Sequence, residues 1–309
     1  MQYREWLDCW LENYIRPTAK AKTYERYRQI AQNQLIADMG GQELCALTPI
    51  SLQSYVTGLL HSGNKRTGKG LAPSTVNTII TVIRASLGTA HELGYLETDV
   101  GRCLRRPRAE EKRITCFSVA EQRQLEEEIL RRRCPKLYGI LICLYTGLRL
   151  GELLALEWSD VDLVRCELSV SKTCFDGKDR GGVFGRITNA PKTPTSERLI
   201  PIPRSLIPLF CEMKHSATAR QVIAEGGRPI AVRSYQRSFE RLQARLAIPH
   251  RGFHALRHTF ATRALEIGVD VKTLAEILGH KNASVTLARY AHSLPEHKRE
   301  MMNRLGALL

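Results

Sequence analysis

No segment of the 309-residue chain approaches the roughly 18 consecutive apolar residues that a membrane-spanning helix needs. The amino terminus, MQYREWLDCW, lacks the apolar core of a signal peptide, so a cytoplasmic protein without a membrane partner is expected. Paired cysteines are missing too: nine stand singly at positions 9, 45, 103, 116, 134, 143, 166, 174 and 211, and none forms a C-x-x-C pair. An odd, scattered set is neither a disulfide framework nor a structural zinc site, and reduced, mostly buried thiols are expected. His250, His254 and His258 have the four-residue spacing of metal ligands on one helix, but Pro249 and Gly252 interrupt the first interval and no H-E-x-x-H is present, so no metal is expected. The stretch Gly63 to Gly70, GNKRTGKG, has the glycines and lysine of a nucleotide-phosphate loop, yet Gly70 stands where the magnesium-binding hydroxyl belongs. It also follows a helical pattern instead of a strand, so no nucleotide cofactor is expected. Neither an internal repeat nor a low-complexity tract is evident.

What the chain has is positive charge. Lys and Arg outnumber Asp and Glu by 46 to 31, a net charge of about +15, which favours a polyanionic partner through steering and counterion release. DNA, RNA and an anionic membrane all fit that sign. Residues 1 to 110 hold 14 of the basic and 10 of the acidic side chains, so the excess is not a detachable tail. With 43% hydrophobic residues the chain has material for two cores.

The amino-terminal part reads as helices: an amphipathic segment around Trp6, Trp10 and Tyr14 closed off by Pro17, then Ala21 to Asp38, Pro49 to His61 and Ser74 to Leu93. Thr48-Pro49 and Pro73-Ser74 are start signals and Gly94 a stop signal. The loop Ser62 to Ala72 carries Lys65, Arg66 and Lys69, suited to phosphate contact. The charged stretch RRPRAEEKR (105 to 113) reads as a linker, placing one domain at 1–107, the linker at 108–113 and the second domain at 114–309. The second domain opens with a capping box, Ser118 to Glu121, and an apolar helix, Leu137 to Leu144. Alternation from Glu167, then RITNAP and ERLIPIP, predicts a small antiparallel sheet with a hairpin at Lys192 to Ser196. Helices resume from Pro203 to the end. In the tail, Glu296 to Leu309, an apolar stripe of Met301, Met302, Leu305, Leu308 and Leu309 is free to dock on its own domain or on a neighbouring copy.

Four segments of the second domain stand apart: TGLRLGELLAL (146 to 156), APKTPTSERLIPIP (190 to 203), HALRHTFATRAL (254 to 265) and LGHKNASVTLARYAH (278 to 292). In order and internal spacing they resemble the tyrosine recombinase, or phage integrase, family: His254-x-x-Arg257, His280 after 23 positions and Tyr290 after ten more. The amino-terminal half is similar, more weakly, to the family's helical core-binding domain. The fold class implied is mainly α with a small antiparallel sheet in the C-terminal domain, a two-domain DNA clamp.

Cutting a phosphodiester needs a nucleophile, positive charge on the non-bridging oxygens and a proton for the leaving oxygen. The resemblance makes Tyr290 the nucleophile, forming a 3'-phosphotyrosine and a free 5'-hydroxyl. Arg149 and Arg257 would grip the phosphate with forks that stay charged. His280 would add a hydrogen bond, and His254 would serve as base near the tyrosine. Lys192 would protonate the leaving oxygen; Lys172, Lys178 and Arg198 lie near the same hairpin and an exposed lysine is ordinarily a surface charge, but K-T-x-x-S-x-R leading into an apolar strand is the hairpin pattern of the family resembled, which favours Lys192. Glu152, three after Arg149, would orient that arginine or a histidine, or else is an ordinary helix-surface carboxylate.

Duplex DNA is the partner implied, bound by a homotetramer on two sites, with an accessory DNA-bending or directionality protein as a further partner. Integration or excision of a mobile element is the first choice of reaction. Alternatives are DNA relaxation of the type IB topoisomerase kind and a DNA-binding protein that does not cut. Met1 leads almost directly into core-binding-like helices, which fits either a simple recombinase or a shortened form of one carrying an arm-binding domain.

Overall fold

The computed structural model describes residues 1–108, 115–178, 183–189, 197–280, 282, 284, 299, 302, 303 and 306. Two compact units divide the chain, one built on Met1–Lys112 and the other on Arg113–Lys178 and Gly182–Leu309.

The first unit is helical. α1 (Tyr3–Trp10) buries Tyr3, Trp6, Leu7 and Trp10, the three-and-four spacing of one helix face. It runs through a π-helical turn, Leu11–Ile15, into α2 (Arg16–Thr18). Pro17 therefore does not close the first helix: the wider π turn upstream accommodates a residue without an N–H, and the chain leaves the helix at extended Ala19. α3 (Ala21–Ile30) continues through π-helical Ala31–Ile36 into α4 (Ala37–Met39). α5 (Pro49–Ser62) starts where Thr48 caps the Ser51 amide at 3.1 Å. α6 (Pro73–Glu92) is the central element: Val76, Ile79, Ile80, Ile83, Leu87 and Ala90 are buried on it. The indole N–H of Trp6 donates to the Ser86 carbonyl at 3.0 Å and that of Trp10 to Thr89 Oγ1 at 3.3 Å, so α1 is pinned to α6 by polar as well as apolar contacts.

The second unit opens with α7 (Val119–Arg132), started by the Ser118 to Glu121 capping box, and α8 (Pro135–Thr146). α8 is buried on nearly every side, which is why its sequence is apolar all round. α9 (Leu150–Ala155) follows. β1 (Val161–Asp162), β2 (Glu167–Val170), β3 (Thr173–Lys178), β4 (Phe184–Asn189) and β5 (Arg198–Pro201) come next. After them are α10 (Ile207–His215), the short pair β6 (Ala224–Glu225) and β7 (Arg228–Pro229), α11 (Val232–Arg245), α12 (His254–Glu266) and α13 (Val271–Leu278).

The strands pair differently from the sequence expectation. β5 joins β2, with Val170 opposite Arg198, in a three-stranded antiparallel sheet ordered β1-β2-β5, whereas β4 pairs with β3. RITN and RLIP thus belong to separate sheets and do not form one hairpin with each other. Alternating patterns give strand identity and facing, but not partners. The turn residues themselves, 192 to 196, lie outside the described residues. The short β6-β7 ladder also interrupts the all-helical run expected after Pro203. Of the C-terminal apolar stripe only Met302 is described, and it is exposed.

The cysteines correct another expectation. Cys143 and Cys174 are buried, but Cys9, Cys45, Cys103 and Cys211 are exposed, so the thiols are not mostly buried. Burial pushes the Cys143 thiol well up from its ordinary value and raises Cys174. Under native conditions an aromatic disulfide reagent should modify Cys9, Cys45, Cys103 and Cys211 quickly, and Cys143 and Cys174 only after unfolding, as peptide mapping would show. Among the described residues no helix is long and apolar enough to cross a membrane.

Candidate active site

The end of α8, the start of α9 and the end of α13 meet at one point of the second unit. Gly147, at φ 67°, closes α8, and a β-carbon there would come within 2.6 Å of the Phe260 ring and 2.8 Å of Leu278. Only glycine lets the two helix ends approach this closely. Each end exposes carbonyls without intrahelical partners and carries the negative pole of its helix.

Three arginines take those carbonyls. At the end of α13, the Ile277 carbonyl accepts from Arg198 Nε at 2.6 Å, the Leu278 carbonyl from Arg257 Nη2 at 2.6 Å, and the Gly279 carbonyl from Arg149 Nη2 at 3.4 Å. Arg257 also donates through Nη1 to the Gly147 carbonyl at 2.9 Å, bridging the ends of α8 and α13. Its Nη2 lies 2.9 Å from His280 Nε2. A guanidinium can only donate, so Nε2 is the acceptor in this contact. His280 is itself set by its amide, which donates to the Ala275 carbonyl at 2.9 Å.

Glu152 lies between two of the arginines. Its carboxylate accepts from Arg149 Nη1 at 2.7 Å, from the Arg149 amide at 3.0 Å and from Arg198 Nη2 at 2.8 Å. The side chain is 8% exposed, which sets aside its reading as a helix-surface carboxylate. Burial pushes its carboxyl up, but the hydrogen bond and charge of Arg198, with the charge of Arg149, outweigh burial and hold it below its ordinary value. Access differs among the arginines: the Arg149 side chain is 36% exposed and open to an incoming anion, while Arg257 is 1% exposed.

The other expected residues are placed as follows. His254 opens α12 and is exposed, its ring edge-to-face with His258 at 4.5 Å. Lys192 and Tyr290 lie outside the described residues. Lys172, a rival to Lys192, is engaged by Glu157 at 2.7 Å and Asp160 at 3.1 Å, and its ammonium is stabilised chiefly by the Glu157 hydrogen bond. Lys65, Arg66 and Lys69 belong to the first unit, exposed on the loop between α5 and α6. That loop is a closed turn, with the Asn64 and Gly68 amides donating at 2.8 Å to the Lys69 and Asn64 carbonyls respectively. Among the described residues no group of three His, Cys, Asp or Glu side chains is placed to hold a metal.

Arg198 is the partner that sequence reading passed over as a surface charge. Its only signal was its place at the end of K-T-x-x-S-x-R, opening an apolar strand.

The profile of the phage integrase family matches residues 119–297, and that of a phage integrase N-terminal SAM-like domain matches residues 2–60. The chain belongs to the phage integrase family. Among its curated relatives, a tyrosine recombinase XerC-like protein of Caldanaerobacter subterraneus is 29% identical over 98% of this chain and 82% of its own. The ICEBs1 integrase of Bacillus subtilis is 25% identical over 78% of this chain and 67% of its own. Among solved structures, the Tn1549 transposon integrase in complex with a circular intermediate DNA superposes with a TM-score of 0.79 at 22% identity, covering 99% of both chains. A lambda integrase tetramer bound to a Holliday junction gives 0.70 at 19% identity over 92% of this chain and 79% of that one. The fold of this integrase-family chain is therefore that of the tyrosine recombinases, mainly helical with small antiparallel sheets, and the family is one of enzymes that break and rejoin DNA.

Proposed function

We propose that the chain is a site-specific recombinase that integrates or excises a mobile element, cutting duplex DNA through Tyr290 and rejoining it without an external energy source. The observation that carries this reading is the end of α13, where three successive carbonyls bind Arg198, Arg257 and Arg149 and the next residue is His280. Such an arrangement fixes guanidinium forks before substrate arrives, which is what charge stabilisation in the transition state requires. Arg149 meets the scissile phosphate first. Arg257 and His280 complete the grip. Tyr290 attacks phosphorus, Lys192 protonates the departing 5'-oxygen and His254 assists the tyrosine. The phosphotyrosyl bond conserves the energy of the broken ester, and attack by a 5'-hydroxyl of a second duplex reverses the step.

Support for duplex DNA and for a tetramer on two sites comes from relatives whose structures hold DNA, one of them tetrameric on a Holliday junction. The ICEBs1 integrase and a transposase from transposon Tn916 among the relatives favour a mobile element. A plasmid carrying two copies of the DNA from the borders of the element that holds the gene tests the reading. Recombinant products that need both copies are expected, whereas relaxation of a plasmid lacking them would favour a topoisomerase.

Lys65, Arg66 and Lys69 are proposed to bind phosphates from the first unit. Replacing all three by alanine should lower duplex affinity and flatten the plot of log affinity against log salt by about 0.9 for each phosphate no longer neutralised. The exposed Lys65–Asp38 pair, at 2.7 Å, leaves stability within about 1 kcal/mol. An unchanged salt slope would remove this loop from the DNA-facing surface.

A further inference from the structure

Arg198 has three nitrogens donating: Nε to the Ile277 carbonyl at 2.6 Å, Nη2 to Glu152 Oε2 at 2.8 Å and Nη1 to Glu152 Oε1 at 3.4 Å. Its side chain is 6% exposed. It therefore spends its fork on the protein and is not placed to hold DNA. Gly279, at φ 63°, lies against it so closely that a β-carbon would fall 3.1 Å from Arg198 Cδ and Nη1, so the turn leading into His280 is moulded on this side chain. We propose that Arg198 is a positioning residue for strand cleavage, fixing the end of α13 against Glu152 and so setting Arg149 and His280 for the phosphate. This rests on the reading of Arg149, Arg257 and His280 as the phosphate site.

Two physical effects support it. The first is charge. Glu152 alone would neutralise Arg149, but with Arg198 also bound to it the group holds two guanidinium charges against one carboxylate, leaving a positive surplus at the more exposed Arg149. The second is geometry. Arg198 opens β5 and caps the end of α13, so one side chain joins the strand that follows Lys192 in sequence to the turn that carries His280.

The test uses the full chain with a nicked duplex from the flanks of its gene on which the unmodified protein forms a covalent adduct. Arg198→Lys keeps the charge and loses the fork. Single-turnover cleavage of the bound duplex should fall about 10–100-fold, as for removal of groups that orient a site, while duplex affinity stays within a few-fold. The acid limb of the cleavage–pH profile should move to higher pH, because Glu152 loses its chief stabilising hydrogen bond. Arg198→Met combined with Glu152→Gln, which removes both charges of the buried pair, should cleave no worse than the slower of the two single variants if the residues act together. Cleavage by Arg198→Lys at the unmodified rate, or a loss that only follows the fraction unfolded with no shift in pH profile, would overturn the proposal. Arg257→Lys, measured alongside, separates the two levels: if it too cleaves normally, the reading of the site itself has failed.

Discussion

Arg257→Ala should abolish most strand cleavage, by at least about 10²–10³-fold, the range seen when one preorganised donor to a developing anion is removed. It should also lower the melting temperature of the second unit. The guanidinium is 1% exposed and serves the Gly147 and Leu278 carbonyls, the ends of α8 and α13. Truncation leaves both acceptors buried without this donor, at about 1–3 kcal/mol each. The two effects separate in Arg257→Lys, which restores a charge and one donor but no planar fork. That variant should recover part of the stability and little of the cleavage. Thermal melts read with single-turnover cleavage check this, and a lysine variant as active as the unmodified chain would deny Arg257 its role.

Glu152→Gln should be the next most damaging change. A buried carboxylate facing two guanidinium groups is replaced by a neutral amide, leaving Arg198, 6% exposed, with a charge no longer balanced by its partner. Loss of one member of a buried pair typically costs about 3–5 kcal/mol. The pH dependence has a definite sign. The folded-state carboxyl of Glu152 titrates below its ordinary value, so its contribution is fully present above the unfolded-state value of about 4.3 and is lost as pH falls through the lower, folded-state one. Acid unfolding of the unmodified chain should therefore steepen below about pH 4.3. The Glu152→Gln variant, weaker at neutral pH, should approach the unmodified chain in acid. Denaturant titrations across that range measure it, and parallel curves at every pH would show that Glu152 carries no such linkage.

Much of the fold was readable in the residues. Periodicity placed α5, α6 and α8 because each has a strong apolar pattern and a start signal: Pro49, Pro73 and the apolar run from Leu137. The Ser118 to Glu121 box marked α7, since two reciprocal hydrogen bonds at fixed spacing leave a local trace. Pairing left none. RITN and RLIP both read as strands, but which strand each joins depends on residues distant in sequence. Arg149, Glu152, Arg257 and His280 were legible through the resemblance of their segments to the tyrosine recombinase family, and the structure brings them together. Arg198 was not, because its significance lies in a carboxylate 46 residues earlier and a carbonyl 79 residues later. The exposed cysteines were misjudged because their type predicts burial only on average, and Cys9 and Cys211 fall on the outer faces of their helices.

The most direct test of the central claim is the identity of the nucleophile. The purified chain would be incubated in EDTA with duplexes nicked near the suspected junction, and any covalent adduct digested and mapped by mass spectrometry. The account predicts a DNA 3'-phosphate joined to Tyr290, formed without added metal and absent from Tyr290→Phe although that variant still binds the duplex. An adduct on another residue, or one that persists in Tyr290→Phe, would contradict it.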